Sequence, residues 1–446
     1  MILKRLMTAA FCCLLLTGCD TLSWPPQLKT ADQLSLKESS FGQLPGWDND
    51  AQGEAVVALQ RSCAGIMKKD ASDNLGVGNF AGTAGAWQGM CQALSKAVPM
   101  TDAEARAFFQ QHFTPYEMQR SNGDEGLFTG YYEPTLYGSY RKHGRFTVPI
   151  YGRPNDLVTV NLGDFKPALE GEHIVGRVTR DDSLVPYYDR AAIDDGVLAK
   201  RHDEIVWVDS AVDAFFLHVQ GSGRIKMDNG TTLRIGYAAE NGQPYVAIGK
   251  ALVQRGALDK DNVSMQSIRD WLQQNPTEAA DVMDLDASYI FFRKLKGEEG
   301  PLTGPLGAEG VPLTPRRSLA VDRKLVPYGV PIWLDAEDPD GQNNIQRLMV
   351  AQDTGGAIVG PVRGDFFWGN GDEAAHKAGL MKSKGHAWVL LPKTADIDPK
   401  ETAQEEPHTP VQPSAPAPAE ASDTPQQNHF MSWYKHVVSV LQPDDE

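Results

Sequence analysis

Two aspartates stand in the stretch AQDTGGAIVGPVRGDFFWG, residues 351 to 369, among five glycines. Asp353 opens a DTGG turn, and Asp365 is followed directly by Phe366, Phe367 and Trp368. Glycine lets a ligand approach the backbone closely. Aromatic surface desolvates a carboxyl and raises its pKa, and a second carboxylate nearby pushes the same way. A carboxyl lifted from ~3.9 toward about 5 or 6 can serve as a general acid near neutral pH. Arg363 would oppose that rise if it turned inward, because residues two apart on a strand share a face. An acid among rings and small residues also has the composition of a sugar site. By composition alone, an acidic structural turn fits the stretch as well as a catalytic one.

Two other chemistries use the same residues. Asp353-Thr354-Gly355 matches the DTG of aspartic proteases, which need two carboxylates sharing a proton. The motif occurs once here, and Gln352 replaces the usual apolar residue before it, so the protease reading is set aside. Asp322, Asp353, Asp365 and Asp372 are hard oxygen ligands, but no EF-hand loop or HExxH accompanies them, and no metal is expected. A net charge of −16, from 58 acids against 42 Lys and Arg, argues against a polyanion partner such as nucleic acid.

The elements that must position these acids follow from the texture of the chain. Val56, Leu59, Cys63, Ile66 and Met67 recur at helical spacing, as do Trp87, Cys91, Leu94 and Val98. Thr101 and Glu104 form a capping-box pattern ahead of Phe108 and Phe109. From about residue 127 the runs GLFTGYYEPTLYGSY, RFTVPIYG and HVQGSGRIKMDNGTTLRIGY read as strands, with DNG at 228–230 as a hairpin turn. PYVAIGKALVQRGAL and SMQSIRDWLQQNP read as helices, the second capped by Ser264 and stopped by Pro276. SYIFFRKL, VPIWLD, RLMVAQD and HAWVLLP return to strand texture. The fold class expected is mainly β and barrel-like, with helices at the start and in the middle.

The ends carry different signals. Lys4 and Arg5 precede an apolar run from Leu6 to Leu16, too short for a membrane span, and Leu16-Thr17-Gly18-Cys19 looks like a lipobox. The expectation is a lipoprotein signal peptide over 1–18, lipidation at Cys19, and a polar tether over 19–45. Acyl chains contribute ~0.8 kcal/mol per buried CH₂, so such an anchor is effectively permanent. Asp20 resembles an inner-membrane retention signal, so the periplasm-facing protein is placed in the outer membrane, or in the inner one if Asp20 acts. Export leaves Cys63 and Cys91 as a candidate disulfide, with two packed thiols as the alternative. Residues 394–429 are rich in Pro, Ala, Thr, Gln and Glu and read as a disordered linker. In the short amphipathic tail, 430–446, Phe430, Trp433, Val437 and Leu441 share a helical face. That tail docks on a surface, a partner enzyme or the membrane interface, or it frays.

A resemblance adds to these readings. AVDRKLVPYGVPIWL, MVAQDTGGAIVG and RGDFFWG together look like the 3D domain, named for three aspartates, here Asp322, Asp353 and Asp365. FTGYYEP, HVQGSGRI and GYAAENGQPYVAIGKAL resemble motifs of the membrane-bound lytic murein transglycosylase A family, so the match runs from about 45 to 393. The resemblance implies a double-psi β-barrel catalytic domain, assigned to 46–129 and 294–393, with a second β domain inserted over 130–293. It implies cleavage of the β-1,4 bond between N-acetylmuramic acid and N-acetylglucosamine in peptidoglycan glycan strands, leaving a 1,6-anhydro end, with no cofactor. The single catalytic acid falls on Asp365. Asp353 and Asp322 fall on supporting positions, and Thr129, Gln220 and Ser222 on the groove; Trp368 is the ring expected to contact sugar. The alternative function is a non-catalytic peptidoglycan-binding lipoprotein.

Overall fold

The structure is a computed structural model, and it describes residues 32–396 apart from 77–79, 98, 122, 170, 297–302 and 342. The signal segment, Cys19, Asp20, Val98 and the tail from 397 lie outside the described residues.

The described residues open with a strand, β1 (Leu34–Glu38), and three helices, α1 (Gln52–Ile66), α2 (Ala84–Ala97) and α3 (Asp102–His112), before β2 (Phe113–Arg120) and β3 (Gly126–Glu133). The stretch read as a tether is therefore folded in part: β1 pairs antiparallel with β2, and Leu34 is buried. The helices form where apolar residues recur every three or four, and those faces lie in the main core. Thr101 and Glu104 close the expected capping box at the start of α3. Cys63 of α1 and Cys91 of α2 are joined by a disulfide.

The middle of the chain holds β4 (Thr135–Ser139), β5 (Val148–Tyr151), β6 (Leu157–Asn161), β7 (His173–Val178), β8 (Leu184–Pro186), α4 (Arg190–Asp194), β9 (Glu204–Val208), α5 (Ala211–Gln220), β10 (Ser222–Met227) and β11 (Thr232–Glu240). Then come α6 (Ile248–Gln254), α7 (Met265–Gln274), α8 (Pro276–Met283) and β12 (Ile290–Lys294). Six of these strands form a sheet in the order β12-β11-β10-β4-β9-β5, and β6-β7-β8 form another. DNG makes the β10–β11 hairpin as expected. HVQ, read as strand, instead ends α5, where Gly221 takes a left-handed conformation at the C-terminus. Pro276 does not merely stop α7; it opens α8 at a position where its missing N–H costs nothing.

The last part contributes β13 (Ser318–Val321), β14 (Pro331–Ala336), β15 (Ile345–Asp353), β16 (Arg363–Asn370), α9 (Asp372–Leu380) and β17 (Lys382–Pro392). These strands join the first ones in a sheet ordered β1-β2-β17-β14-β15-β13-β16-β3, and β3 also pairs with β17. Pairing thus passes through β3, β16, β13, β15, β14 and β17 and back to β3. The molecule is mostly sheet with some helices.

Candidate acid site

The site is built on β3, β15 and β16. β3 and β16 run parallel with Thr129 opposite Asp365, and Thr129 Oγ1 donates to Asp365 Oδ1 at 2.6 Å. Strand alternation places Tyr131 on the same face as Thr129. Its hydroxyl donates to Asp353 Oδ2 at 2.8 Å, at the end of β15. Asp353 Oδ1 accepts two backbone amides, Ala308 N–H at 2.8 Å and Thr354 N–H at 3.0 Å. The close pairing needs a glycine at its start: a Cβ on Gly126 would lie 2.0 Å from the Val362 carbonyl oxygen. Val362 has φ 47°, an unfavourable conformation for a β-branched residue, immediately before Arg363.

Both acids keep some solvent contact, yet dense protein around them dominates their titration. Burial pushes Asp353 up to about 6, against the bonds from Ala308, Tyr131 and Thr354, and Asp365 adds to the rise. Burial also raises Asp365, while the Thr129 bond and the Arg363 charge hold it back. Arg363 has turned inward. Its guanidinium donates to Thr129 Oγ1 at 2.9 Å, to the Leu127 carbonyl at 3.3 Å and to the Gly364 carbonyl. A directed chain therefore runs from Arg363 through the Thr129 hydroxyl to Asp365.

Asp322 is buried away from this pair. Its carboxylate accepts Lys324 N–H at 3.0 Å and Gly360 N–H at 2.8 Å, and Thr354 Oγ1 donates to the Val321 carbonyl at 2.8 Å. These bonds fasten both ends of the loop between Asp353 and Asp365 to the end of β13. Gln220 lies at the C-terminus of α5, where its Oε1 accepts the Tyr132 N–H at 2.9 Å. It braces the strand that carries Thr129 and Tyr131. Ser222 is buried at the start of β10.

Trp368 is not a sugar platform. Only 7 % of it is exposed, and its ring packs against Phe366, 4.5 Å between centroids, in the main core. The reason is parity: residues 366 and 368 point away from the Asp365 face. Phe367 points toward that face and is buried against Tyr131 at 5.1 Å. Phe367 is therefore the ring of the three that walls the site.

Sequence reasoning missed Tyr131, although alternation from Thr129 would have found it. It also missed Tyr245, 45 % exposed on the segment after β11. Burial raises the Tyr245 hydroxyl, and the charges of Asp286 and then Asp365 add to the rise, so the ring senses the acid from the middle part of the chain. Asp286 accepts the neighbouring Val246 N–H at 2.9 Å and so pins that segment. Among the described residues, three metal-capable side chains converge at Glu117, Asp124 and His386, none of them from the acid pair.

Comparison with known proteins places this geometry among relatives. Residues 127–293 match the family described as the MltA specific insert domain, and residues 317–391 match the 3D domain. Membrane-bound lytic murein transglycosylase A of Escherichia coli K12 is 34 % identical over 275 residues, 60 % of this chain and 66 % of that protein. The chain thus aligns with just under two thirds of that curated relative's length. The crystal structure of a membrane-bound lytic murein transglycosylase from Agrobacterium tumefaciens is similar with TM-score 0.71 and 35 % identity, covering 80 % of this chain and 98 % of that one. The crystal structure of E. coli MltA with bound chitohexaose gives 0.60 and 26 %, covering 82 % and 97 %.

Proposed function

This chain belongs to the membrane-bound lytic murein transglycosylase A family, and from that premise we propose that it cleaves peptidoglycan glycan strands with Asp365 as the single acid and base. The bond broken is the β-1,4 link between N-acetylmuramic acid and N-acetylglucosamine, and the product carries a 1,6-anhydro end. Chitohexaose bound to a structural relative supports a glycan substrate. The observation that carries the assignment is the 2.6 Å bond from Thr129 to Asp365, made where burial raises the acid.

In this reading Thr129 occupies Oδ1, so Oδ2 carries the proton. Asp365 gives that proton to the departing O4 as the C1–O4 bond breaks. The resulting carboxylate takes the proton of the sugar's own 6-hydroxyl while O6 bonds to C1. Hydrolases commonly need a second carboxylate to activate water or attack the sugar. An intramolecular hydroxyl has high effective molarity and removes that need. Arg363, through Thr129, supports the carboxylate formed after the first proton transfer. Asp353 and Tyr131 hold the facing wall, and Asp322 ties the loop that delivers Asp365.

The ring of pairings among β3, β13, β14, β15, β16 and β17 supports reading that part as a double-psi β-barrel, with 130–293 as the inserted domain. The names of the relatives support a membrane association, for which Cys19 is the proposed lipid attachment point. Among the described residues no helix is long and apolar enough to cross a membrane.

The test is mass spectrometry of soluble products from purified sacculi digested with residues 20–446 and with Asp365→Asn. Anhydromuropeptides from the unsubstituted protein, reduced at least ~10²-fold in the variant, are expected for loss of general acid–base catalysis. Reducing-end products would point to a hydrolase that admits water. A folded protein that pellets with sacculi but releases nothing would leave a binding protein.

A further inference from the structure

Residues 303–314 form a hairpin whose tip rests on the end of β15. Gly304 N–H donates to the Leu313 carbonyl at 2.7 Å, Leu313 N–H to the Pro305 carbonyl at 2.8 Å, and Gly307 N–H to the Val311 carbonyl at 2.9 Å. Two tip residues touch β15. Ala308 N–H reaches the Asp353 carboxylate, and the next residue, Glu309, donates its own N–H to the Gln352 carbonyl at 3.1 Å. The Glu309 side chain turns inward, away from the acid pair, and neither the proposed chemistry nor the sequence reading uses it.

That side chain ends a directed series of bonds. Thr314 N–H donates to Ser318 Oγ at 2.7 Å, and Ser318 Oγ donates to Gln352 Oε1 at 2.6 Å. Gln352 Nε2 donates to Ser62 Oγ at 3.0 Å, and Ser62 Oγ donates to Glu309 Oε2 at 2.7 Å. The series starts at one end of the hairpin and finishes at its tip, through side chains of β13, β15 and α1. Every donor points toward Glu309, so an acceptor must stand there or the buried Ser62 hydroxyl loses its partner. Arg61, also on α1, holds the far arm by the Pro312 and Leu313 carbonyls and the Thr314 hydroxyl.

We propose that Glu309 is a positioning residue: by terminating this series it holds the hairpin tip on β15 and so keeps the Ala308 amide on Asp353. The inference rests on the reaction assigned above, in which Asp353 walls the acid site. Burial pushes Glu309 up to about 7, opposed by Ser62 and Gln352, both neutral. The titratable and charged groups around it are Tyr328, on the loop before β14, Asp353, Arg323 beside Tyr328, and Arg61 on α1. Burial pushes Tyr328 up to about 12; Asp353 adds to the rise, Arg323 and Thr354 oppose it, and Glu309 adds a smaller push. Ionisation of Glu309 puts a charge there whose burial cost exceeds what Ser62 and Gln352 return, so the tip is held most firmly below the pH at which it ionises. Asp353 feels the change through its lost amide.

The experiment compares Glu309→Ala and Glu309→Gln with the unsubstituted protein by two readouts. The first is sacculus digestion at acid and mildly alkaline pH. Glu309→Ala is expected to lower kcat about tenfold with KM within about twofold, and Glu309→Gln, which keeps the acceptor, to restore most of it. Glu309→Gln is also expected to lose less activity than the unsubstituted protein as pH rises through about 7. The second readout needs no catalysis: carboxyl ¹³C titration of Asp353, assigned with Asp353→Asn. Asp353 should titrate higher in Glu309→Ala, having lost the Ala308 amide, and unchanged in Glu309→Gln at acid pH. An unshifted Asp353 in Glu309→Ala, or a pH profile of Glu309→Gln that superimposes on the unsubstituted one, overturns the proposal. If sacculi are not cleaved at all, the assigned reaction fails, while the Asp353 titration still decides the role of Glu309.

Discussion

Two tyrosine–aspartate pairs in this molecule have nearly the same geometry and opposite titration. Tyr131 donates to Asp353 at 2.8 Å, and Tyr187 donates to Asp156 at 2.9 Å. Burial pushes both carboxyls up. Asp156, in the middle part of the chain, also receives Arg201 and ends below the usual carboxylate range. Asp353 receives only backbone amides besides the tyrosine and ends at about 6. Two things differ: Asp353 is the more deeply buried, and Asp156 alone faces a guanidinium. A cation fixes a carboxylate in its charged form, whereas neutral donors hold its position and leave its proton exchangeable. Glu133 is also fully buried, and it is clamped by Arg224 at 2.8 Å and Arg234 at 3.2 Å where β3 leaves the acid site for the second sheet. Asp365 combines the two influences: burial raises it, while the Thr129 bond and the Arg363 charge hold it back.

The comparison can be broken most strongly at Tyr131. Tyr131→Phe removes a donor to the charged form of Asp353, so that carboxyl should titrate above about 6 and kcat should fall by about 10- to 100-fold. A kcat within twofold of the unsubstituted protein would detach Asp353 from the reaction. Arg363→Met comes next. It removes the cation that holds Asp365 down, so the alkaline limb of kcat/KM should move to higher pH while kcat falls several-fold. A limb that moves to lower pH would mean that Arg363 does not act on Asp365. The smallest effect is expected from Arg201→Leu, which makes Asp156 resemble Asp353. Asp156 has a depressed pKa when folded, so its contribution exists above the unfolded value and is lost as pH falls. Both partners are about one third exposed, so the stability lost near neutral pH should be at most about 1 kcal/mol, and smaller in acid below the lowered Asp156 pKa. Urea midpoints at the two pH values measure it, with glycan release unchanged.

Stability should also carry the opposite sign at the acid site. Asp353 and Glu309 have folded pKa values above their unfolded ones, so the native state holds more protons between about 4 and 7. Their contribution to stability is complete below the unfolded values and is lost as pH rises through about 6 and about 7. Asp353→Asn should flatten that part of a melting-temperature profile, and an unchanged slope would place the titration elsewhere.

Much of this was legible in the chain. Thr101 with Glu104, Ser264, and DNG at 228–230 specify local geometry through few atoms, and the structure has the cap, the cap and the hairpin. The helical stripes carrying Cys63 and Cys91 predicted helices able to be bridged, and a disulfide joins them. Resemblance put Thr129 on the groove and Asp365 at the acid position but did not foresee their bond, because no local rule links residues 236 apart. Trp368 was misjudged because composition does not reveal which side of a strand a ring takes until the register is known. HVQ and the 34–38 segment were misread for a related reason: short apolar runs fit helix, strand or coil until their neighbours arrive. Glu309 carried no signal, since its burial depends on Ser62 and Gln352 from distant elements.

The lateral contact of β3 with β16 also imposes an order in time. A chain emerging from its N-terminus offers Thr129 and Tyr131 long before Asp353 and Asp365 exist as neighbours. β17, which pairs with β3 as well, comes later still. Such long-range pairing is slow to form. An incomplete chain therefore has its carboxyls in ordinary water, with ordinary acidity and no facing hydroxyl. The Thr129–Asp365 bond can therefore form only after β16 has been made, and the pairing of β17 with β3 follows it in the chain.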